Sequence, residues 1–267
     1  MPGKYAWHFA STKTTPMKRM QLLLTIVALC MSAASSSAAV VVTQFTGFSD
    51  GNNGGTNSAL VGFDIVNTNS ILIATIYVDT ATPGPLISNV RFGNGGGIGA
   101  GDVAPTLTLT DSRLLSYVFI NPSTSSGLSF RADNSSGTVG LAAALYEVSG
   151  ANTDLSSITT ATNSTTITTA TASELVVSFA GRNGGNQSLG TPTIFTVTDI
   201  AIAAGTVTGT GAVASASATA PTIGSQNITW AATGAAGRIA YAFEAVPEPT
   251  SALLGGLGLL VLLRRRR

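Results

Sequence analysis

Between residues 40 and 246 apolar positions recur in short runs, and clusters of Gly, Pro, Asn, Asp and Ser interrupt them at intervals of about ten residues. Residues 105–111 (PTLTLTD) alternate strictly, with Leu107 and Leu109 on one side and threonines on the other, which is the period of a half-buried strand. Residues 71–79 (ILIATIYVD) are apolar nearly throughout, as a strand covered on both faces would be. Similar runs occupy 40–48, 86–92, 114–120, 127–133 and 138–149, and then 165–169, 174–180, 193–198, 202–208, 212–219, 226–232 and 238–245. Between them lie turn signals such as Asp50-Gly51-Asn52-Asn53-Gly54-Gly55 and Pro83-Gly84-Pro85. The nearest approach to an amphipathic helix is 141–146, and its flanks are strand-like. Roughly fourteen short strands predict an all-β fold of two packed antiparallel sheets, a jelly-roll-like β-sandwich. No repeat of constant period appears, which argues against a propeller or solenoid. Residues 40–246 read as one domain, with a split near Gly150 as the alternative.

The two ends of the chain have a different texture. Residues 1–16 lack periodicity and hold the single histidine, His8. From Met17 the chain carries Lys18 and Arg19, an apolar run over 22–31, and small residues over 32–39. Basic, hydrophobic and cleavage regions in that order predict a secretory signal peptide over 17–39, so Met17 reads as the initiator and 1–16 as an extension ahead of it. Ser37-Ala38-Ala39 satisfies the small-x-small rule and places cleavage between Ala39 and Val40. Cys30 could suggest a lipid anchor instead, but Leu29 precedes it where a small residue is needed.

At the other end Pro247, Glu248 and Pro249 precede an uncharged apolar run over 252–263, opened by Ala252 and closed by Leu263, and then Arg264, Arg265, Arg266 and Arg267. Proline fixes φ and pushes the preceding residue out of the helical region, so the tripeptide is presented extended, as a protease substrate should be. The 12 apolar residues reach about 18 Å as a helix, against a hydrocarbon core of about 30 Å. This predicts a short C-terminal transmembrane helix whose arginines stay on the cytoplasmic side.

This segment resembles the sorting signal of the bacterial PEP-CTERM proteins, which exosortases process. The resemblance rests on Pro247, Glu248 and Pro249, the apolar segment and the basic tail, and covers only the last twenty or so residues. It implies that a membrane-embedded protease recognises the tripeptide, cuts near it, and releases or transfers the body. A simple tail anchor with an accidental Pro-Glu-Pro is the plainer alternative.

Without its ends the chain changes character. The body over 40–246 has no Lys, His, Cys or Met; its bases are five arginines against eleven acids, a formal charge of −6. An acidic, lysine-free body is a poor polyanion binder, which excludes nucleic acid as a partner. A disulfide framework is impossible, so stability must come from burial.

Catalytic chemistry is correspondingly restricted. A Ser-His-Asp triad, a Cys-His pair, a lysine nucleophile and a His-bearing zinc site all lack their residues in the body. Paired carboxylates for glycoside hydrolysis remain, with Glu147, Glu174 and Glu244 as candidates, each alone at a strand end. Asp50 begins a loop with the opening spacing of a calcium site, but Val61 stands where the closing glutamate belongs. Asp102 ends a single glycine-rich stretch over 96–102 that nearly matches a calcium repeat, a motif that works as an array. Flexible surface loops account for both, so no catalytic residue, metal or cofactor is assigned. The strand aromatics Tyr77, Phe119, Phe130, Tyr146, Phe179, Trp230, Tyr241 and Phe243 suit a core, or else a platform for sugar rings.

The expectation is therefore an exported protein that meets the secretion translocon and an exosortase. It is anchored transiently in the inner membrane by its C-terminus, and ends at the cell surface, outer envelope or extracellular space. A structural or adhesive, non-catalytic role in an extracellular polysaccharide matrix leads; a carbohydrate-binding module and a surface glycoside hydrolase are the alternatives.

Overall fold

The computed structural model describes residues 39–49, 59–80, 82–94, 102–136, 139–183, 193–194, 201–207, 211–230 and 235–246, all inside one compact unit, Ala38–Val246. The expected signal peptide up to residue 38, the loop beginning at Asp50, and the sorting segment from Pro247 through Arg267 lie outside the described residues.

Among the described residues the chain is all-β. The first half contains β1 (Val41–Ser49), β2 (Ala59–Gly62), β3 (Ile71–Val78), β4 (Ile87–Asn94), β5 (Leu107–Asp111), β6 (Leu114–Ile120), β7 (Leu128–Asn134) and β8 (Leu141–Ser149). The second half contains β9 (Ile158–Thr162), β10 (Thr166–Thr169), β11 (Leu175–Asn183), β12 (Thr193–Ile194), β13 (Ala201–Val207), β14 (Gly211–Thr219), β15 (Gly224–Thr229) and β16 (Ala235–Phe243). Helix is confined to single turns at Gly84–Leu86 and Leu155–Ser157. The periodicity identifies most of these strands and passes over the short strands β2 and β9.

The strands form four antiparallel sheets, where the sequence pattern had suggested two. Five-stranded sheets run β1-β8-β3-β6-β5 and β13-β14-β11-β16-β9; three-stranded sheets run β2-β7-β4 and β10-β15-β12. Alternation identifies a strand with a buried face but not the sheet it joins, so the number of layers was not legible. Each half contributes one large and one small sheet, and the strand order of the second half is that of the first with every number raised by eight.

Apolar clusters lie on both faces of each large sheet. Ile71, Ile73 and Tyr77 of β3 join Leu175, Val177 and Phe179 of β11 in a core between the two five-stranded sheets. The alternate residues of β3, Leu72, Ala74, Ile76 and Val78, pack with Phe92, Phe119 and Phe130. Every residue of β3 is consequently buried, which explains its unbroken apolar run. Across the second large sheet, Ala212, Ala214, Ala216 and Ala218 of β14 face Ile167, Ile228 and Trp230. β8 shows the same control by tertiary structure: LAAALYEVS is rich in helix formers, yet it pairs with β1 and β3 on its two edges and is buried at eight of nine positions.

A carboxylate ties the two halves together at the end of the β5–β6 hairpin. Asp111 Oδ2 accepts the backbone N–H of Asn163 at 2.9 Å and of Arg238 at 2.6 Å, both from the second half. Gly237, beside Arg238, has φ +125°, and a Cβ there would strike the Asp111 carbonyl oxygen. Asp111→Ala leaves two donors without their acceptor and is expected to cost about 2 kcal/mol, measured as a lowered urea midpoint of the body at unchanged slope.

Candidate functional site

The end of the body is stitched into the fold up to the residue before Pro247. Glu244 accepts the Asn152 N–H through its backbone oxygen at 2.8 Å, Ala245 bridges Ala151, and Val246 donates its N–H to the Gly150 carbonyl at 3.0 Å. The beginning of the body reaches the same place. The Ala39 carbonyl lies against Gly150, at φ +75°, so closely that a Cβ would collide with it. Ala39 is exposed, whereas Val40, the residue expected to follow cleavage, is buried in the core between the large sheets. Both ends of the folded body thus emerge beside Gly150.

Two of the three glutamates considered for hydrolysis, Glu147 and Glu174, are occupied with backbone. Glu147 is buried on β8, and its Oε2 accepts Gln44 Nε2 at 2.7 Å and the Val66 N–H at 3.2 Å. Its Oε1 accepts the Asn67 N–H at 2.8 Å and Asn67 Nδ2 at 3.3 Å. One carboxylate therefore holds the turn between β2 and β3 by taking up two of its backbone donors. Glu174 does the same for the turn between β10 and β11, its Oε1 accepting the N–H groups of Ala170 at 2.7 Å and Thr171 at 2.5 Å. Its Oε2 is buried and has no hydrogen-bond partner. Glu244 is half-buried at the end of β16. Each of the two buried carboxylates is aimed at its own loop, a role that strand-end placement alone could not separate from catalysis.

Asp102 is half-buried and lies over Gly93. Its charge also reaches Arg131, whose pKa is raised first by a hydrogen bond to Asp133, then by the charge of Asp133 and lastly by that of Asp102. Among the described residues no three of His, Cys, Asp and Glu come together in a way that could hold a metal ion. The eight strand aromatics are all buried. Tyr146, Phe179 and Tyr241 interlock by edge-to-face contacts at 5.8 and 6.2 Å, and Trp230 Nε1 donates to Ser178 Oγ at 3.0 Å. Tertiary packing consumes these rings, so they form no sugar platform on the surface.

Among the described residues no helix is long and apolar enough to cross a membrane, and the expected span over 252–263 is outside them.

Among the described residues the fold is almost entirely sheet, and its last residues run directly into Pro-Glu-Pro in the sequence. Residues 245–267 match the family model of the PEP-CTERM protein-sorting motif, in agreement with the resemblance seen in the sequence. The match supports an exported protein targeted to an exosortase for processing at a membrane. Its first two residues, Ala245 and Val246, are those already bonded to Ala151 and Gly150. No curated protein and no solved structure is significantly similar to the chain.

If Glu147 is a structural acceptor, Glu147→Ala is expected to lower stability by about 3 kcal/mol in urea unfolding, with Glu147→Gln losing less because its amide oxygen still accepts. A second expectation concerns alkali. Burial, followed by the charge of Asp79, pushes Tyr77 from its usual 10.0 up to about 12; burial also pushes Tyr117 and Tyr241 upward. A folded-state pKa above the unfolded value means stability is complete below pH 10.0 and declines as pH rises through the folded value. Circular dichroism and tyrosinate absorbance recorded together should show unfolding beginning between pH 10.0 and about 12, coincident with ionisation of the buried phenols.

Proposed function

We propose that this is a non-catalytic, structural or adhesive protein of the cell surface or extracellular polysaccharide matrix. It is delivered by a signal peptide through the secretion translocon and released or transferred by an exosortase. The observation that carries the reading is the sorting motif at residues 245–267, continuous with the folded body at Ala245 and Val246. The shared exit of both body ends beside Gly150 supports it, because a leader and a terminal anchor can then meet one membrane without unfolding what lies between them. The role of Glu147 and Glu174 as acceptors for turns favours a non-catalytic body over a glycoside hydrolase. Burial of the eight strand aromatics considered as a platform disfavours a carbohydrate-binding module that stacks sugars on those rings, although Phe45 is exposed.

We further propose that each half is a jelly-roll-like sandwich. Its nested antiparallel partners, β1 with β8, β2 with β7 and β3 with β6, support that reading, with β5 completing the larger sheet rather than the smaller.

The processing reading is tested by expressing the full chain with and without an exosortase and determining the mass of the C-terminus. The tail should be removed only when the enzyme is present, and Glu248→Ala should abolish removal. A tail that stays uncut in the presence of an exosortase known to cut another substrate in that host overturns the assignment.

A further inference from the structure

The core between the large sheets has a symmetry that residue types alone do not reveal. β3 and β11 are both preceded, two residues before their first paired position, by a residue at positive φ: Asn69 at 56° and Ser173 at 68°. From that common origin the registers agree. Ile71 pairs with Ile120 and with Val148; Leu175 pairs with Thr219 and with Phe243. One residue beyond, Asn121 donates its N–H to the Ser70 carbonyl and Ala220 to the Glu174 carbonyl, at 2.9 and 2.7 Å, and a proline follows each, Pro122 and Pro221. Equivalent positions on equivalent strands therefore match residue by residue, although little else in the two sequences does.

Two of those positions carry identical polar residues. Tyr146 pairs with Ile73 as Tyr241 pairs with Val177, and Ser116 pairs with Thr75 as Ser215 pairs with Phe179. All four tyrosines and serines are buried. Tyr241 donates its hydroxyl across the interface to Ser116 Oγ at 2.7 Å, and Ser116 in turn meets Thr75 Oγ1 at 2.6 Å. Most of the contacts between the sheets also occur in mates: β1 meets β13 as β9 meets β5, β8 meets β13 as β16 meets β5, and β8 meets β14 as β16 meets β6, whereas the meeting of β3 with β14 has no mate of like extent between β11 and β6.

We infer that the inner faces of the two large sheets form a self-complementary surface, on which an eight-strand unit recognises a second copy of itself across a twofold axis running along the strands. The buried hydrogen bond from Tyr241 to Ser116 is mirrored by one from Tyr146 to Ser215. The partner is supplied within the same chain, joined through Gly150. Phe179 locates the axis, because its ring lies 5.8 Å from Tyr146 and 6.2 Å from Tyr241, nearly equidistant from two residues that the rotation exchanges. A large side chain on an axis excludes an identical twin, and its counterpart is the much smaller Thr75. An interface of this isologous kind repeats every off-axis contact twice, so one favourable pair is worth two.

Double-mutant cycles on the intact body test the inference through its folding equilibrium in urea. Tyr→Phe and Ser→Ala are conservative enough to leave the sheets intact, and each is expected to lower the folding equilibrium constant by about fivefold or more. In the matched pairs, Y241F with S116A and Y146F with S215A, the double variant should lose about fivefold less than the product of the single losses. In the crossed pairs, Y146F with S116A and Y241F with S215A, the losses should simply multiply. A second comparison does not depend on the hydroxyls: the exchange T75F/F179T should unfold at higher urea than T75F alone, since both side chains share the axial space. Coupling at Tyr241–Ser116 with none at Tyr146–Ser215, or an exchange no better than T75F, overturns the twofold arrangement.

Discussion

The constraint on which the structure depends is that the two large sheets must each be buried on both faces. A single sheet with one covered face would leave half of β3, β8, β11 and β14 in water, although most of their residues are apolar on both faces. Small sheets cover the outer faces, and the inner faces can be covered only by each other. With no disulfide available, this double burial supplies the stability that a small exported domain often takes from cysteines.

Polar groups inside such a stack are mostly satisfied locally, with Ser70 Oγ, Glu174 Oε2 and Arg238 Nε as buried exceptions among the described residues. Ser116, Thr75 and Tyr241 bond to one another in the inner core, Trp230 bonds to Ser178 in the outer one, and Asp111 closes the rim between the halves. Glu147 and Glu174 belong to the same economy. The halves place their glutamates differently, one on the last strand and one at the mouth of the turn it serves, yet both meet N–H groups in the turn that leads into the central strand. A carboxylate accepting several backbone donors is a strong local staple, which explains a lone buried acid without invoking catalysis.

Function and fold meet where the body ends. β16 lies between β11 and β9, inside its sheet, so the last strand before the sorting motif is also one the second half cannot form without. The motif therefore follows the fold with no intervening linker, its first residues held by Gly150 and Ala151.

Much of this was legible along the chain. Strand type, the fully buried character of residues 71–78 and the sorting motif all follow from short-range order, because pleat periodicity, proline geometry and runs of like residues are local properties. Partner choice is not local. Whether a buried strand joins one sandwich or a stack of four sheets depends on which face meets which, and LAAALYEVS reads equally as strand or helix until β1 and β3 flank it. The carboxylates were visible as isolated acids, but their work depends on turns that lie some 80 residues away from Glu147 and only three or four from Glu174. The pairing of Tyr241 with Ser116 spans 125 residues and leaves no trace in spacing or composition. Short-range chemistry thus set the elements and the address, while long-range packing alone decided the layers, the role of each buried polar group and the relation between the two halves.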